Sequence, residues 1–185
     1  MTALDLLLTA QRTRDLVFSK LAAGGFASFG PASRILLPTR LSGVANVAVG
    51  DRVLIGAGSW LIVPEQRAPG PNIVIGDRVR MNQTSISGVE RIDIEEGVAM
   101  ARGCYISDHS HGFDDPDAFI RDQPLSRVAP VRIKRGAWLG QNCVVMPGVT
   151  IGAGSVIGAN SVVTRDIPDR TVAAGTPARI LRSLP

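Results

Sequence analysis

At 185 residues, with 45% hydrophobic side chains, only 4% aromatic ones and a formal charge of +4, the chain has the size of one domain with room for one appendage. Its basic residues are scattered, with no basic run and no interleaved aromatics, which argues against a nucleic-acid surface and suits small anionic partners such as a nucleotide-bearing cofactor. No stretch approaches the roughly eighteen apolar residues of a membrane span, and the opening MTALD has an acid where a signal peptide carries positive charge, so a cytoplasmic location is expected.

Residues 3–22 read as a helix, with Thr2 as N-cap, Asp5 in the first turn and Gly24-Gly25 as the stop. Leu7, Ala10, Val17 and Leu21 follow helical spacing and predict a face that docks on the rest of the chain. The alternative is that Leu6, Leu7, Leu8 and Phe18 stay exposed and give a weak association with a membrane surface.

From about Arg34 the pattern changes. Val49, Ile55 and Leu61 recur every sixth position, with Val53 and Ser59 as a second column four residues further on. Pro64 to Pro71 breaks the register as a polar, proline-rich loop. The register resumes at Ile75 and Met81, slips by one residue around Gly88 to Asp93, and returns at Ile94, Met100 and Ile106. Ser107 to Arg132 is the longest interruption, of the kind that is either functional or disordered. The run Ile133 to Ile167 then keeps the period throughout. Its first column is Ile133, Leu139, Val145, Ile151, Ile157 and Val163, and its fifth is Ala137, Cys143, Val149, Ser155, Ser161, with Ile167 opening the next cycle.

A period of six is neither the 3.6 of a helix nor plain alternation. It belongs to an all-β solenoid, a parallel β-helix in which each hexad supplies one flat rung, three rungs make a coil, and stacked coils bury a common core. The organisation expected is a helical segment over 1–33, a β-helix over 34–167 with the inserted loop 107–132, and a tail over 168–185, turned back at Gly175-Thr176-Pro177. Cys104 and Cys143 both occupy fifth-column positions, which predicts buried thiols over a disulfide, a metal ligand or a nucleophile.

Repeats alone are a scaffold, so chemistry has to come from what interrupts them. The long loop opens Ser107-Asp108-His109-Ser110-His111 and holds both histidines of the chain. A His fixed at the edge of a rigid scaffold beside a carboxylate is equipped as a general base, with Asp108 holding its tautomer. Exposed loop histidines and a metal site are the other readings. A metal would need further ligands from Asp108, Asp114, Asp115 or Asp117.

The hexads, the DHSH loop, the GAWLGQN rung and the closing VAAGTPARIL together resemble the hexapeptide-repeat acyltransferases, over roughly residues 45–182. The maltose/galactoside and polysaccharide-modifying O-acetyltransferase branch is the most similar. The resemblance implies a left-handed β-helix, a homotrimer with sites between subunits, and acetyl-CoA or another acyl-CoA as co-substrate with no metal. The implied reaction is direct acyl transfer to a sugar hydroxyl, without an acyl-enzyme.

Position by position, the resemblance makes His109 the catalytic base and gives His111 a supporting role toward the acceptor. Asn82 matches an Asn that hydrogen-bonds the acceptor, though a plain turn residue reads equally well there. Trp138 matches an aromatic lining the acyl channel, and the backbone N–H of Gln141 falls where an oxyanion donor is expected. Gly158, Ala159 and Ser161 correspond to coils along the pantetheine arm. Thr164 and Arg165 correspond to a pair near the CoA phosphates, and Arg179 and Arg182 to a basic tail, where the alternative is solvated surface charge. N-acyl transfer to an amino sugar or amino acid, or a non-catalytic or metal-binding β-helix module, are the competing functions.

Overall fold

The computed structural model describes residues 2–185. Its core is a left-handed parallel β-helix of triangular section, built from three sheets whose strands have two or three residues except for the last two of the second sheet. Successive strands along the chain go to the first, second and third face in turn. The first face stacks Ser28–Phe29, Val47–Val49, Ile73–Ile75, Ile92–Ile94, Val131–Ile133 and Thr150–Ile151. The second begins at Arg34–Ile35 and ends with Thr171–Gly175 and Ala178–Ser183, and the third runs from Arg40–Ser42 to Val162–Val163. Neighbouring coils pair in exact register, for example Ile73 with Ile92 and Ile92 with Val131. Coils therefore repeat at about 4.8 Å along the axis.

The six-residue columns become the interior. Every aliphatic residue of the first column from Ile133 to Val163 is fully buried, and so are the small residues of the fifth column. Three flat sheets meeting at acute corners leave little width, which is why aliphatic residues and Ser, Cys or Ala fill the coils, the buried aromatic Phe26 lying at the N-terminal end. Cys104 and Cys143 are both buried free thiols in successive coils, and their sulfurs hydrogen-bond to the Gly140 and Gly158 carbonyls at 3.2 and 3.1 Å.

The parallel pairing starts earlier than Arg34, with Ser28–Phe29 already lying against Ala48 and Val49. The register slip also sits elsewhere than expected. Ile86 stacks on Leu61 and Ile106 although it follows Met81 by five positions rather than six, so the short turn is Asn82 to Thr84, with Gln83 at a positive φ of 48°. The missing residue is more than restored between Ile86 and Ile94, where Gly88 to Arg91 bulge outward before the first face resumes. Thr84, fully buried, takes the fifth-column place and hydrogen-bonds through its N–H to Ser59 Oγ.

The helix α1 spans Ala3–Ala22 and opens with a capping box, Thr2 Oγ1 accepting from the Asp5 N–H and Asp5 accepting from the Thr2 N–H. Its docking face is not the predicted apolar one. Leu7, Val17 and Leu21 are exposed, and the residues buried against the prism are Asp15 and Ser19, flanked by partly buried Phe18 and Ala22. The reason is the partner. α1 lies along the strand Arg34–Ile35, which has no coil beyond it and so presents unpaired backbone groups. Ser19 Oγ accepts the Ile35 N–H at 2.8 Å, and Arg14 donates to the Leu37 carbonyl while ion-paired to Asp15. A strand edge asks for hydrogen-bond partners, and a purely apolar stripe supplies none.

At the other end the chain turns at Gly175–Pro177 and runs back antiparallel, Ala178–Ser183 pairing with Thr171–Gly175 as the last strand of the second face. No helix among the described residues is long and apolar enough to cross a membrane.

Candidate functional site

Two segments leave the prism at the corner between the third and first faces: residues 63–72, after Trp60–Ile62, and residues 108–130, after Tyr105–Ser107. The second folds on itself through an antiparallel pair, Ser110–His111 with Leu125–Ser126. A hollow of about 500 Å³ lies between the two loops and adjoins one of about 240 Å³ beside the second loop, the two sharing Ser87, His109 and His111. The smaller is also lined by Tyr105, Met146 and Pro147, the larger by Glu65, Arg67, Arg121 and Gln123.

His109 is held by its neighbour. Asp108 has no solvent exposure, and its Oδ1 lies 2.8 Å from His109 Nδ1. The same carboxylate accepts the backbone N–H groups of Val89, Glu90 and Arg91 at 2.8–3.1 Å. These three amides are the bulge left by the irregular turn after Ile86. Asn72, also fully buried, fixes that bulge from behind by donating to the Val89 and Glu90 carbonyls. Burial alone would raise the Asp108 pKa, but hydrogen bonds from His109 and the Glu90 and Val89 amides outweigh it and hold the carboxyl below its usual range.

An ionised Asp108 takes the proton-bearing Nδ1 of the imidazole and leaves Nε2 as the basic nitrogen. Nε2 has no hydrogen-bond partner among the described residues, and the ring borders both hollows. That arrangement can accept a proton from a hydroxyl or amine seated between the loops. His111 borders the same space, its main-chain carbonyl held by Ser126 Oγ at 3.0 Å. No group of three or more His, Cys, Asp or Glu side chains suited to a metal ion occurs among the described residues.

The remaining positions singled out in the sequence divide between two corners. Thr164 and Arg165 follow Val162–Val163, so they lie at the His109 corner, two coils further along, and both are exposed. Asn82, Gln141, Gly158 and Ala159 instead lie between the second and third faces, a different corner of the triangle. Asn82 Nδ2 bonds the Met100 carbonyl, the contact of a turn residue, while the Gln141 N–H makes no hydrogen bond among the described residues. Trp138 projects from the second face and is 44% exposed. Ser161 points into the core, donating to the Gly158 carbonyl and accepting the Gly175 N–H. Arg179 and Arg182 are exposed on the last strand. Within one chain, none of Asn82, Gln141 or Trp138 lines the hollows beside His109.

Sequence reasoning did not find the amides of Val89 to Arg91 that anchor Asp108, nor the lining by Tyr105, Ser87 and Arg67. The irregular spacing after Met81 was the available signal for the first. Backbone donors carry no residue signature of their own.

The family model described as bacterial transferase hexapeptide (six repeats) matches residues 130–165. Over 103 residues the chain is 40% identical to WbbJ of Escherichia coli K12, named for lipopolysaccharide biosynthesis O-acetyl transfer, covering 52% of this chain and 53% of that one. It is 41% identical over 92 residues to a protein of Mycobacterium tuberculosis named as an acetyltransferase, covering 50% of this chain and 30% of the relative. The chain thus spans about a third to a half of the length of these curated relatives. Among solved structures, galactoside acetyltransferase in complex with coenzyme A superposes with a TM-score of 0.62 at 28% identity, over 90% of this chain and 69% of that one. AntD of Bacillus cereus, an N-acyltransferase solved with dTDP and 3-hydroxybutyryl-CoA, gives 0.75 at 20% identity over 90% and 87%, a likeness of fold. The repeat matched over residues 130–165 and these likenesses make the chain similar to the hexapeptide-repeat acetyltransferases, with which it shares the left-handed β-helix fold.

Proposed function

We propose that the chain is an acyl-CoA-dependent O-acyltransferase, in the first instance an O-acetyltransferase, that acts on a sugar hydroxyl of a saccharide or glycoconjugate. The observation that carries the reading is the His109–Asp108 dyad, buried on its Asp108 side and open at Nε2 to a hollow walled by two loops. The 40% identity with a relative named for O-acetyl transfer supports a hydroxyl acceptor over an amine.

His109 Nε2 removes the acceptor proton as the oxygen attacks the thioester carbonyl, and returns it to the departing thiolate when the carbon–sulfur bond breaks. Asp108 keeps its charge and steadies the imidazolium between those two transfers. The free N–H of Gln141 is a suitable donor to the oxyanion, worth about 3 kcal/mol where such donors have been removed. The thioester supplies the activated acyl group. The donor set suits such a ligand: exposed Arg165, Arg179 and Arg182 for phosphates, and Trp138 with Gly158 and Ala159 along a flat strand face for a narrow chain.

His109 and Gln141 stand at different corners of the prism, so a working site takes both corners from adjacent copies. A homotrimer with sites between subunits is therefore part of the reading.

The test is thiol release from acetyl-CoA with a panel of mono- and oligosaccharides, including amino sugars, on the wild type and on His109→Ala. The expected result is release dependent on a hydroxyl acceptor that drops by about 10²-fold or more in the variant. A variant at nearly the wild-type rate removes His109 as the base. Release only with amines replaces O-transfer by N-transfer.

A further inference from the structure

Outside the His109 corner, the most unusual surface is the outer side of α1. Leu6, Val17 and Leu21 are 53%, 51% and 80% exposed, on the side of the helix opposite Asp15 and Ser19. They follow helical spacing and form one stripe about 20 Å long at 1.5 Å per residue. Between Leu6 and Val17 the same side carries Ala10 and Thr13, and exposed apolar side chains gathered on one helix face mark an interaction. The polar docking of α1 explains why the stripe is left over: the inner face is committed to the Arg34–Ile35 edge.

Charge accompanies it. Of the chain's net +4, residues 1–50 carry +3, with five basic side chains and two acidic. Both acids are occupied, Asp5 in the capping box and buried Asp15 with Arg14. Arg12, Lys20 and Arg34 have no acidic partner among the described residues. Lys20 and Arg34 flank a hollow of about 400 Å³ between α1 and the first coil, floored by Leu16 and Phe29.

We propose that the outer face of α1 and the cations around it rest on the surface of an anionic lipid bilayer, with the apolar stripe at the acyl boundary and the cations at headgroup phosphates. An apolar stripe bordered by Lys20, with Arg34 across the adjoining hollow, is the pattern of an interfacial helix. A second copy of the same face would bring Lys20 and Arg34 near their own kind, whereas an anionic surface satisfies stripe and cations together. The hollow beside Lys20 and Arg34 has the size and the donors for one phosphate headgroup. His109 lies in the fourth coil, about 15 Å along the axis from the first, a distance that suits an acceptor held at the same surface.

The test is flotation of the full chain with phosphatidylethanolamine–phosphatidylglycerol vesicles against phosphatidylcholine vesicles. It compares the wild type, the triple variant Leu6→Ser/Val17→Ser/Leu21→Ser and the double variant Lys20→Glu/Arg34→Glu. All substituted side chains are exposed, and unchanged melting shows that the fold is kept. The expected result is binding to anionic vesicles only, loss in high salt, a fall of at least about five-fold per reversed cation, and loss in the stripe variant. Transfer to a soluble acceptor stays at the wild-type rate in every variant, so failure here is separable from failure of the proposed chemistry. No binding to anionic vesicles, or equal binding to neutral ones, overturns the proposal. So does a stripe variant that floats like wild type, or one whose altered property is the oligomeric mass.

Discussion

Asp108→Asn is the substitution that most directly probes the site. The carboxylate receives the imidazole N–H and three backbone amides, with no solvent to replace any of them. An asparagine of the same shape keeps one carbonyl oxygen and turns an NH₂ toward groups that are themselves donors. At least one or two buried donors then lose their acceptor, at about 1–3 kcal/mol each, and the remaining bonds lose their charge assistance. The expected cost is about 3–5 kcal/mol, or a fall in Tm of roughly 6–20 °C for a chain of this size. The rate should fall more than stability alone explains, because neutral Asn no longer selects the tautomer with a basic Nε2; losses of about 10²–10⁴ are expected at temperatures where the variant is folded. Thermal unfolding by circular dichroism and thiol release at a temperature well below the variant's Tm measure the two effects separately. A variant that melts within about 2 °C of the wild type and turns over at its rate would refute the reasoning.

Acid should act on the same group. Because the folded-state pKa of Asp108 is depressed, its contribution to stability is fully present above the ordinary carboxylate value of about 4 and is lost as pH falls through the depressed value. Melting temperature followed below pH about 4 should therefore drop less steeply in Asp108→Asn than in the wild type; parallel curves would contradict the assignment. Ser19→Ala removes the acceptor of the buried Ile35 N–H and should cost about 1–3 kcal/mol, whereas Leu21→Ala, at an exposed position on the same helix, should fall within about 0.5 kcal/mol of neutral by denaturant titration. If the two corners are contributed by adjacent copies, mixing His109→Ala with Trp138→Ala chains after unfolding and reassembly should restore a fraction of the activity that neither has alone. Mixtures as inactive as their components would place both groups in one subunit's site or make Trp138 dispensable.

The β-helix was legible because each hexad repeats one instruction: an aliphatic residue inward, a small residue at the corner, a turn between. A single residue of either column would say little, but the unbroken series from Ile133 to Ile167 leaves no other period. The misplacement of the slip has a local cause. Thr84 is as good a corner residue as Ser59 or Cys104, so a turn one residue short goes unnoticed until the stacking of Ile86 on Leu61 is known. For α1, the length and cap were readable while the docking face was not, since the helix meets a strand edge and the stripe that looked like a core contact points away. At the site, His109 and Asp108 stood out as chemistry in a loop. The bulge that holds Asp108 did not, because Val89 to Arg91 hold it through their peptide groups, which have no residue signature.

The way α1 meets the first coil also bears on assembly beyond the single molecule. A parallel β-helix grows by addition at its ends, and an open coil is a template on which another chain can stack to begin a fibre. On the second face the first coil is covered, with Ser19 and Arg14 occupying main-chain groups around Ile35 and Leu37, while at the other end Ala178–Ser183 folds back antiparallel and becomes the outermost strand. The first and third faces begin with the short strands Ser28–Phe29 and Arg40–Ser42, and Arg40 stacks its charge over Trp60. Ser19 and Arg14 thus cover the strand edge that α1 reaches, and their loss is expected to show first as concentration-dependent light scattering.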